Sequence, residues 1–390
     1  MLLVLNIGSS TIKFGVYAAQ DGATIARGAV EGVGHAPRLI ARLPQGETCD
    51  VVAPAGDTHA LTRWLLADLD ARLGGLTLVA AGHRVVHGGT AFAAPVPLTP
   101  GVMATLHSYA PMAPTHQPYN LGGIDAVAER WPGVPQFACF DTAFHQTRPR
   151  LAKLYALPRA LADEGILRYG FHGLSYTHIA RVLPGVIGAN RAAGRVLVAH
   201  LGSGASLCAM QNGQSVQTTL GFGALDGLVM GTRCGQIDPG VIFHLMRTKG
   251  MDAGQVEALL SQQSGLLGVS GLSPDMRTLL ASADPQAAEA VALFVHSVVH
   301  HAGALIADMG GIDALVFTAG IGERSPAIRA RVMQGLAWLG LAPDPAANDS
   351  GATILSRPDS RVLAAMIPTD EEGVILEVLR SDIGVVDHAR

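Results

Sequence analysis

Lysine is nearly absent: of 27 basic residues only Lys13, Lys153 and Lys249 are lysines. Cysteine is scarce too, with Cys49, Cys139, Cys208 and Cys234 far apart and no CxxC spacing. That excludes a disulfide framework or a cysteine-rich metal knuckle and predicts reduced thiols in the cytoplasm. There is no strong excess of either charge: the net of −4 provides no basic field, so neither nucleic acid nor an anionic membrane is an expected partner. The opening MLLVLNIGSS has no basic start and no long apolar core, so it does not read as a signal peptide. Ala290–Ala307 is the most apolar helical stretch, but His296, His300 and His301 interrupt it, predicting a packed helix over a membrane span. No GxxxxGK[ST], no HRD or DFG set and no HExxH appears, which excludes P-loop, protein-kinase and zincin chemistry.

What is present is a repeated design. With 390 residues, 49% hydrophobic and 15% charged, the chain has ample core for two or three domains. Val196–Ala199 reads as a buried strand, Gly202-Ser203-Gly204 as a small-residue turn and Ser206–Gln211 as a second strand. Asn212-Gly213 then signals a hairpin. The N-terminus repeats this order: strand Leu2–Leu5, turn Gly8-Ser9-Ser10, strand Thr11–Tyr17 and hairpin signal Asp21-Gly22. Laying Gly8 on Gly202 sets Asn6 opposite His200 and Ser9 opposite Ser203. Two copies at this separation imply two domains of one design. Each offers backbone N–H groups and hydroxyls at a strand end, which suits phosphate, although Gly-Ser turns also join strands with no ligand.

Other groups fall at predicted strand ends. The strand Leu76–Ala81 delivers Gly82-His83-Arg84-Val85-Val86-His87-Gly88-Gly89, where an arginine in a glycine-flanked loop can grip a carboxylate or phosphate. A surface arginine with a local salt bridge is the alternative. Pro135–Phe140 ends in Asp141, either a ligand-facing carboxylate or a helix N-cap. His172 lies in an aromatic-His-Gly cluster opening a helix, where a structural histidine is the plainer reading. Gly231–Gly235 sets Arg233 between glycines, and Asp238-Pro239 caps the helix to Lys249. Ala314–Phe317 runs into Gly320-Ile321-Gly322, a weak nucleotide-type signal. The domain boundary is expected near Arg150, giving 1–149 and 150–372, with 373–390 packing back on the first domain. Two phosphate turns, two glycine-flanked arginines, a strand-end aspartate and one distinctive lysine suit ATP-dependent phosphoryl transfer to a small anionic acceptor.

These residues lie in NIGSSTIKF (6–14), GHRVVHGG (82–89), FDTAFH (140–145), YGFHGLS (169–175) and HLGSGAS (200–206). The set continues in GLVMGTRCGQIDPG (227–240), DMR (275–277), FTAGIGER (317–324) and PTDEEG (368–373). With them the chain resembles the acetate kinases of the acetate and sugar kinase, actin and heat-shock-chaperone ATPase superfamily. The resemblance implies an α/β fold of two lobes, each a duplicated actin-like, ribonuclease-H-like sheet with flanking helices, and an active site in the interdomain cleft. It implies reversible, Mg²⁺-dependent in-line transfer (Mn²⁺ as substitute) from ATP to acetate, giving ADP and acetyl phosphate, in a cytoplasmic homodimer. By position it assigns Asn6 and Glu371 to the metal, and Ser9, Thr11 and Lys13 to the first phosphate turn. Arg84, Val86, Phe171 and Ala224 are assigned to the acid, and Asp141, His172 and Arg233 to catalysis. The nucleotide falls to Lys13, His200, Leu201, Gly202, Ser203, Gly204, Asp275, Met276, Arg277, Gly320, Ile321, Gly322, Glu323 and Arg324. Ser203, Gly223, Ala224, Thr115, Asp370 and Arg324 depart from the family pattern. Ala224 and Thr115 keep a propionate or butyrate kinase open as the alternative; a non-enzymatic nucleotide clamp fits the two arginines and His172 poorly.

Overall fold

The computed structural model describes residues 1–75, 77–382 and 384. They divide into two units, Met1–Phe144 with Asp370–Arg390, and His145–Thr369. The division falls just before His145, ahead of the expected Arg150, because His145 and Thr147 already bond to Ser215, and Arg148 to the carbonyls of Arg168 and Tyr169, all within the second unit.

The first unit is built on an eight-stranded sheet. Its strands are β1 (Leu2–Ile7), β2 (Thr11–Tyr17), β3 (Thr24–Glu31), β4 (Arg38–Arg42), β5 (Thr48–Val52), β6 (Ala80–Val85), β7 (Val96–Pro97) and β8 (Gln136–Phe140). Their order is β5-β4-β3-β2-β1-β6-β8-β7. β1 lies inside the sheet, antiparallel to β2 and parallel to β6, and helices pack on it, so Leu2–Leu5 form an unbroken buried run. β4, farther out, alternates exposed and buried residues, turning Leu39 and Ala41 to the core. Helix Thr58–Arg72, capped by Asp57 at the Ala60 N–H, adds Leu61, Leu65, Leu66 and Leu69 to the core that holds Leu3, Leu5 and Ile7. Helix Glu371–Asp382 lies against β1 and β6. It comes so close that a Cβ on Gly82 would meet Ile375 Cγ2 at 2.4 Å.

The second unit holds β9 (Arg195–Leu201), β10 (Ala205–Gln211), β11 (Gln214–Thr218), β12 (Ala314–Thr318) and β13 (Leu363–Met366), ordered β11-β10-β9-β12-β13. An antiparallel three-strand meander is followed by two parallel strands, the same plan as β3-β2-β1-β6-β8. The sequence repeat is therefore a repeat of topology. Asn212 and Gly213 both take positive φ (51° and 70°) in the tight β10–β11 turn that Asn-Gly favours. Asp21-Gly22 differs: β2 and β3 pair from Tyr17 to Thr24, leaving a longer loop in which Asp21 Oδ1 accepts from the Ala23 N–H. Helix Pro285–Asp308 is the one helix among the described residues long and apolar enough to cross a membrane. Ala290, Val291, Phe294, Val298 and Ile306 on it are buried, and the helix packs on β9–β11 and on neighbouring helices, as a core helix does.

Three local expectations change. The strand placed at Leu76–Ala81 is Ala80–Val85, with Leu76 outside the described residues, so Arg84 stands in a strand and not in a loop. Gly320-Ile321-Gly322 lies within a short helix, Ala319–Arg324, that starts directly after β12. Between Arg150 and Gly165, where the sequence suggests one helix-like run, there are two short helices, Arg150–Lys153 and Arg159–Asp163, the second with Pro158 at its N-cap.

Gly82→Ala is expected to cost about 1–3 kcal/mol through overpacking against Ile375, read as a lower denaturation midpoint with unchanged m-value. Burial pushes His83 and His87 down to about 4 and His145 to about 3, from an ordinary 6.5. Below pH 6.5 the unfolded chain therefore binds more protons than the folded one, so stability falls as pH drops from 6.5 toward 4. Melting temperatures across that window should show a shallower slope in His83→Gln than in wild type.

Candidate active site

In the first unit the expected residues converge at the carboxyl ends of the parallel strands β1, β6 and β8, where α/β sheets place ligands. Arg84, the penultimate residue of β6, donates from Nε and Nη2 to Asp141 at 3.0 and 2.5 Å. Its Nη1 donates to Asn6 Oδ1 at 3.0 Å, and Asn6 Nδ2 donates to Glu371 Oε2 at 3.4 Å. One chain of contacts thus links Asp141, Arg84, Asn6 and Glu371. Burial opposes the Arg84 charge, but Asp141 and Glu371 outweigh it and hold the guanidinium above the ordinary arginine value. Asp141 is only 1% exposed and accepts from Arg84 on both oxygens. Of the five guanidinium N–H groups three are engaged, leaving two for an anion. Lys13 lies directly across from Asn6 in the β1–β2 pairing and is exposed, as is Ser9; Thr11 opens β2. Val86 is buried, and its N–H donates to Asn120 Oδ1 at 2.9 Å.

The second unit repeats the arrangement with other chemistry. His200, at the position matching Asn6, stands near the end of β9, followed by buried Leu201 and the turn Gly202–Gly204. His172 sits in a left-handed conformation (φ 61°) at the start of helix Gly173–Ile187, and its ring stacks on His200 with centroids 4.1 Å apart. A Cβ on Gly204 would lie 3.4 Å from His172 Nε2 and 3.7 Å from Arg233 Nη1, so the turn, the imidazole and the guanidinium surround one small space. Arg233 is steered by a bond from Nη1 to the Ala224 carbonyl at 3.0 Å, and the Gly231 N–H donates to the exposed Ser203 carbonyl at 3.1 Å. On the other side of the turn, a Cβ on Gly202 would lie 3.7 Å from Ala319 Cβ and 4.0 Å from the Gly320 nitrogen. Within the helix holding Gly320, Ile321 and Gly322, Glu323 accepts from the Thr369 N–H, while Arg324 is exposed. Asp275 caps the helix of buried Met276 and pairs with the exposed Arg277, whose hydrogen bond lowers the Asp275 pKa. Phe171 is buried, and its carbonyl accepts from His145 Nε2 at 2.9 Å.

The acetokinase family profile matches residues 1–377. The chain belongs to the acetokinase family. An acetate kinase of Rhodopseudomonas palustris is 51% identical over 387 residues, covering 96% of each chain. The solved acetate kinase of Porphyromonas gingivalis is 35% identical with a TM-score of 0.88, covering 98% of this chain and 99% of its own. A propionate kinase of Francisella tularensis subsp. tularensis SCHU S4 is 33% identical with a TM-score of 0.90, covering 96% and 98%. The fold is that of these kinases: two α/β units, each with a mixed sheet.

Sequence reasoning missed the residues that hold these groups in place. Asn120 ties the Ile7 carbonyl to the Val86 N–H, and Gln117 accepts from His87 N–H while donating to its carbonyl. Thr142 Oγ1 receives the Gly88 N–H. Arg148, 3% exposed, donates to the carbonyls of His145, Ala152, Arg168 and Tyr169, bracing the chain just before His172; burial lowers it to about 10. Asn120 and Gln117 carry no local signal, whereas Thr142 lies inside FDTAFH and was legible there.

Gly204 has no left-handed φ, and an alanine there would make only ordinary contacts. Gly204→Ala is therefore expected to keep the wild-type melting temperature while its methyl fills the space between His172 and Arg233, lowering kcat by about tenfold or more. Paired melting and turnover measurements check both halves.

Proposed function

We propose that this chain transfers the terminal phosphoryl group of ATP to acetate, giving acetyl phosphate and ADP, and runs the reverse. The observation that carries the reading is Arg84: a guanidinium held rigid by Asp141 and Asn6, with two N–H groups still to offer a carboxylate. An acid with a pKa of about 4 to 5 is already ionised at neutral pH, so its oxygen attacks the γ-phosphorus without a base. That suits Asp141, whose oxygens are occupied by Arg84, as the group that orients the arginine. His172 and Arg233 face one small space beside the Gly204 turn and would stabilise the equatorial oxygens in transfer. Lys13, Ser9 and Thr11, with His200–Gly204, Asp275–Arg277 and Gly320–Arg324, are the proposed contacts of ATP. Leu201 and Met276, buried side chains, would act through their backbone.

A divalent cation, Mg²⁺, belongs to this reading. Glu371 supplies a hard carboxylate oxygen beside the Asn6 amide, the donor type Mg²⁺ takes when phosphate and water complete its shell. Such an ion would neutralise charge between the phosphates. Asn6 Oδ1 already accepts from Arg84, so Asn6 serves chiefly to aim Glu371. We further assign the enzyme to the cytoplasm and to a homodimer. Exposed Val241, Phe243 and Met246 on helix Pro239–Lys249, with Leu293 on Pro285–Asp308, give a subunit contact its apolar surface.

Propionate is the second reading, favoured by Ala224, the small residue whose carbonyl Arg233 holds. One methylene changes pocket binding by only about 1–3 kcal/mol, so both acids should react. Hydroxylamine trapping of acyl phosphate with ATP, Mg²⁺ and each acid should give product, with kcat/KM higher for acetate. A higher value for propionate reassigns the acid, and no trapped product with either refutes the kinase reading. Arg84→Ala should raise the KM for acetate roughly 10- to 100-fold. Arg233→Ala should lower kcat by about 10²-fold with smaller changes in KM.

A further inference from the structure

The usefulness of His172 depends on which ring nitrogen carries the proton. Phosphoryl oxygens only accept hydrogen bonds, so a neutral imidazole serves them only through an N–H. His172 Nδ1 lies 2.8 Å from Ser206 Oγ. Ser206 is fully buried on β10, and the same oxygen is 2.5 Å from the phenol oxygen of Tyr176, one turn into the helix that His172 opens. Nε2 points the other way, toward Gly204 and Arg233. The stacked His200 ring covers one face of His172 and is itself fixed, its Nδ1 2.9 Å from Ser175 Oγ, which accepts from Thr369 Oγ1 at 2.8 Å.

We infer that Tyr176 and Ser206 are positioning residues that set the tautomer of His172. The Tyr176 O–H donates to Ser206 Oγ, the Ser206 O–H donates to Nδ1, and Nε2 keeps its proton facing the Gly204 turn. The direction follows from donor strength. A phenol donates more strongly than an aliphatic hydroxyl and accepts more weakly, since its lone pair is shared with the ring. Burial also holds Tyr176 well above its ordinary pKa, so it keeps the proton it donates. Serine has a single proton, and one received from Tyr176 directs its own to His172. Ser206, inside HLGSGAS, and Tyr176, next to YGFHGLS, are fully buried and act through His172. This inference rests on reading His172 as a partner of the transferred phosphoryl group.

The test uses the full-length enzyme with ¹⁵N-labelled histidine, the His172 signals being assigned by their loss in His172→Gln. Wild type should show Nδ1 unprotonated and Nε2 protonated at neutral pH. Ser206→Ala should give mixed tautomers and a kcat about tenfold lower, with KM for acetate and ATP changed less than about twofold. Tyr176→Phe, which removes one oxygen and keeps the ring, should shift the tautomers the same way with a loss of about threefold; it carries the test should Ser206→Ala fail to fold. A protonated Nδ1 in wild type, or unchanged tautomer and kcat in the variants, overturns the relay. Wild-type kcat in His172→Ala overturns the site reading and the relay with it. An inactive His172→Ala beside fully active Ser206→Ala and Tyr176→Phe overturns the relay alone.

Discussion

The bidentate contact of Arg84 with Asp141 is the constraint around which the first unit's polar residues are arranged. A carboxylate 1% exposed at a strand end is costly to bury, and only a partner delivered to it makes that tolerable. β6 brings the arginine and β8 ends at the aspartate, in parallel register one strand apart, with Arg84 paired to Cys139. Buried ion pairs add little net stability, so the value of this one is geometric. It fixes the plane of the guanidinium and, through Asn6, the carboxylate of Glu371.

The second unit answers the same problem with neutral groups. Where the first has Asn6, it has His200; where the first buries an ion pair, it has hydroxyl chains, through buried Ser175, Ser206 and Tyr176 and half-buried Thr369. On the proposed reading the difference matches what each end would do. A guanidinium proposed to bind a carboxylate needs a fixed plane. An imidazole proposed to face phosphoryl oxygens needs a fixed tautomer, which hydroxyl donors would supply without adding net charge. The strand plan is common to both because loops at the carboxyl ends of parallel strands can vary without disturbing the covered sheet beneath them.

Much of this was legible because the signals are local. A buried central strand needs an unbroken apolar run, as Leu2–Leu5 and Val196–Ala199 supply, and an Asn-Gly pair specifies its turn by φ alone. Arg84, Asp141, His172 and Arg233 were visible as chemistry-bearing residues at strand and loop ends. Other features were misplaced. The strand carrying Arg84 is shifted by several residues because His83 is buried against Gln136 and Gly82 against Ile375, partners that hydropathy along the chain does not reveal. The Gly320 segment reads only as a weak GxG signal after a strand, yet it is a helix whose carbonyls of Gly322 and Glu323 accept from Arg329, a fully buried arginine also bonded to Asn348.

The sequence by itself determined the repeated turns, the two domains of one design and the residue types of a phosphoryl-transfer site. Each is written in short-range periodicity, turn chemistry and motif spacing, while the α/β plan came with the family resemblance. Tertiary structure alone decided that Asp141 pairs with Arg84, and that Asn120 and Gln117 hold the loop after β6. It also decided that Ser206 stands between Tyr176 and His172. Those are pairings of polar groups distant in the chain, and which donor meets which acceptor is settled only when packing strips away water and each buried group must find a partner.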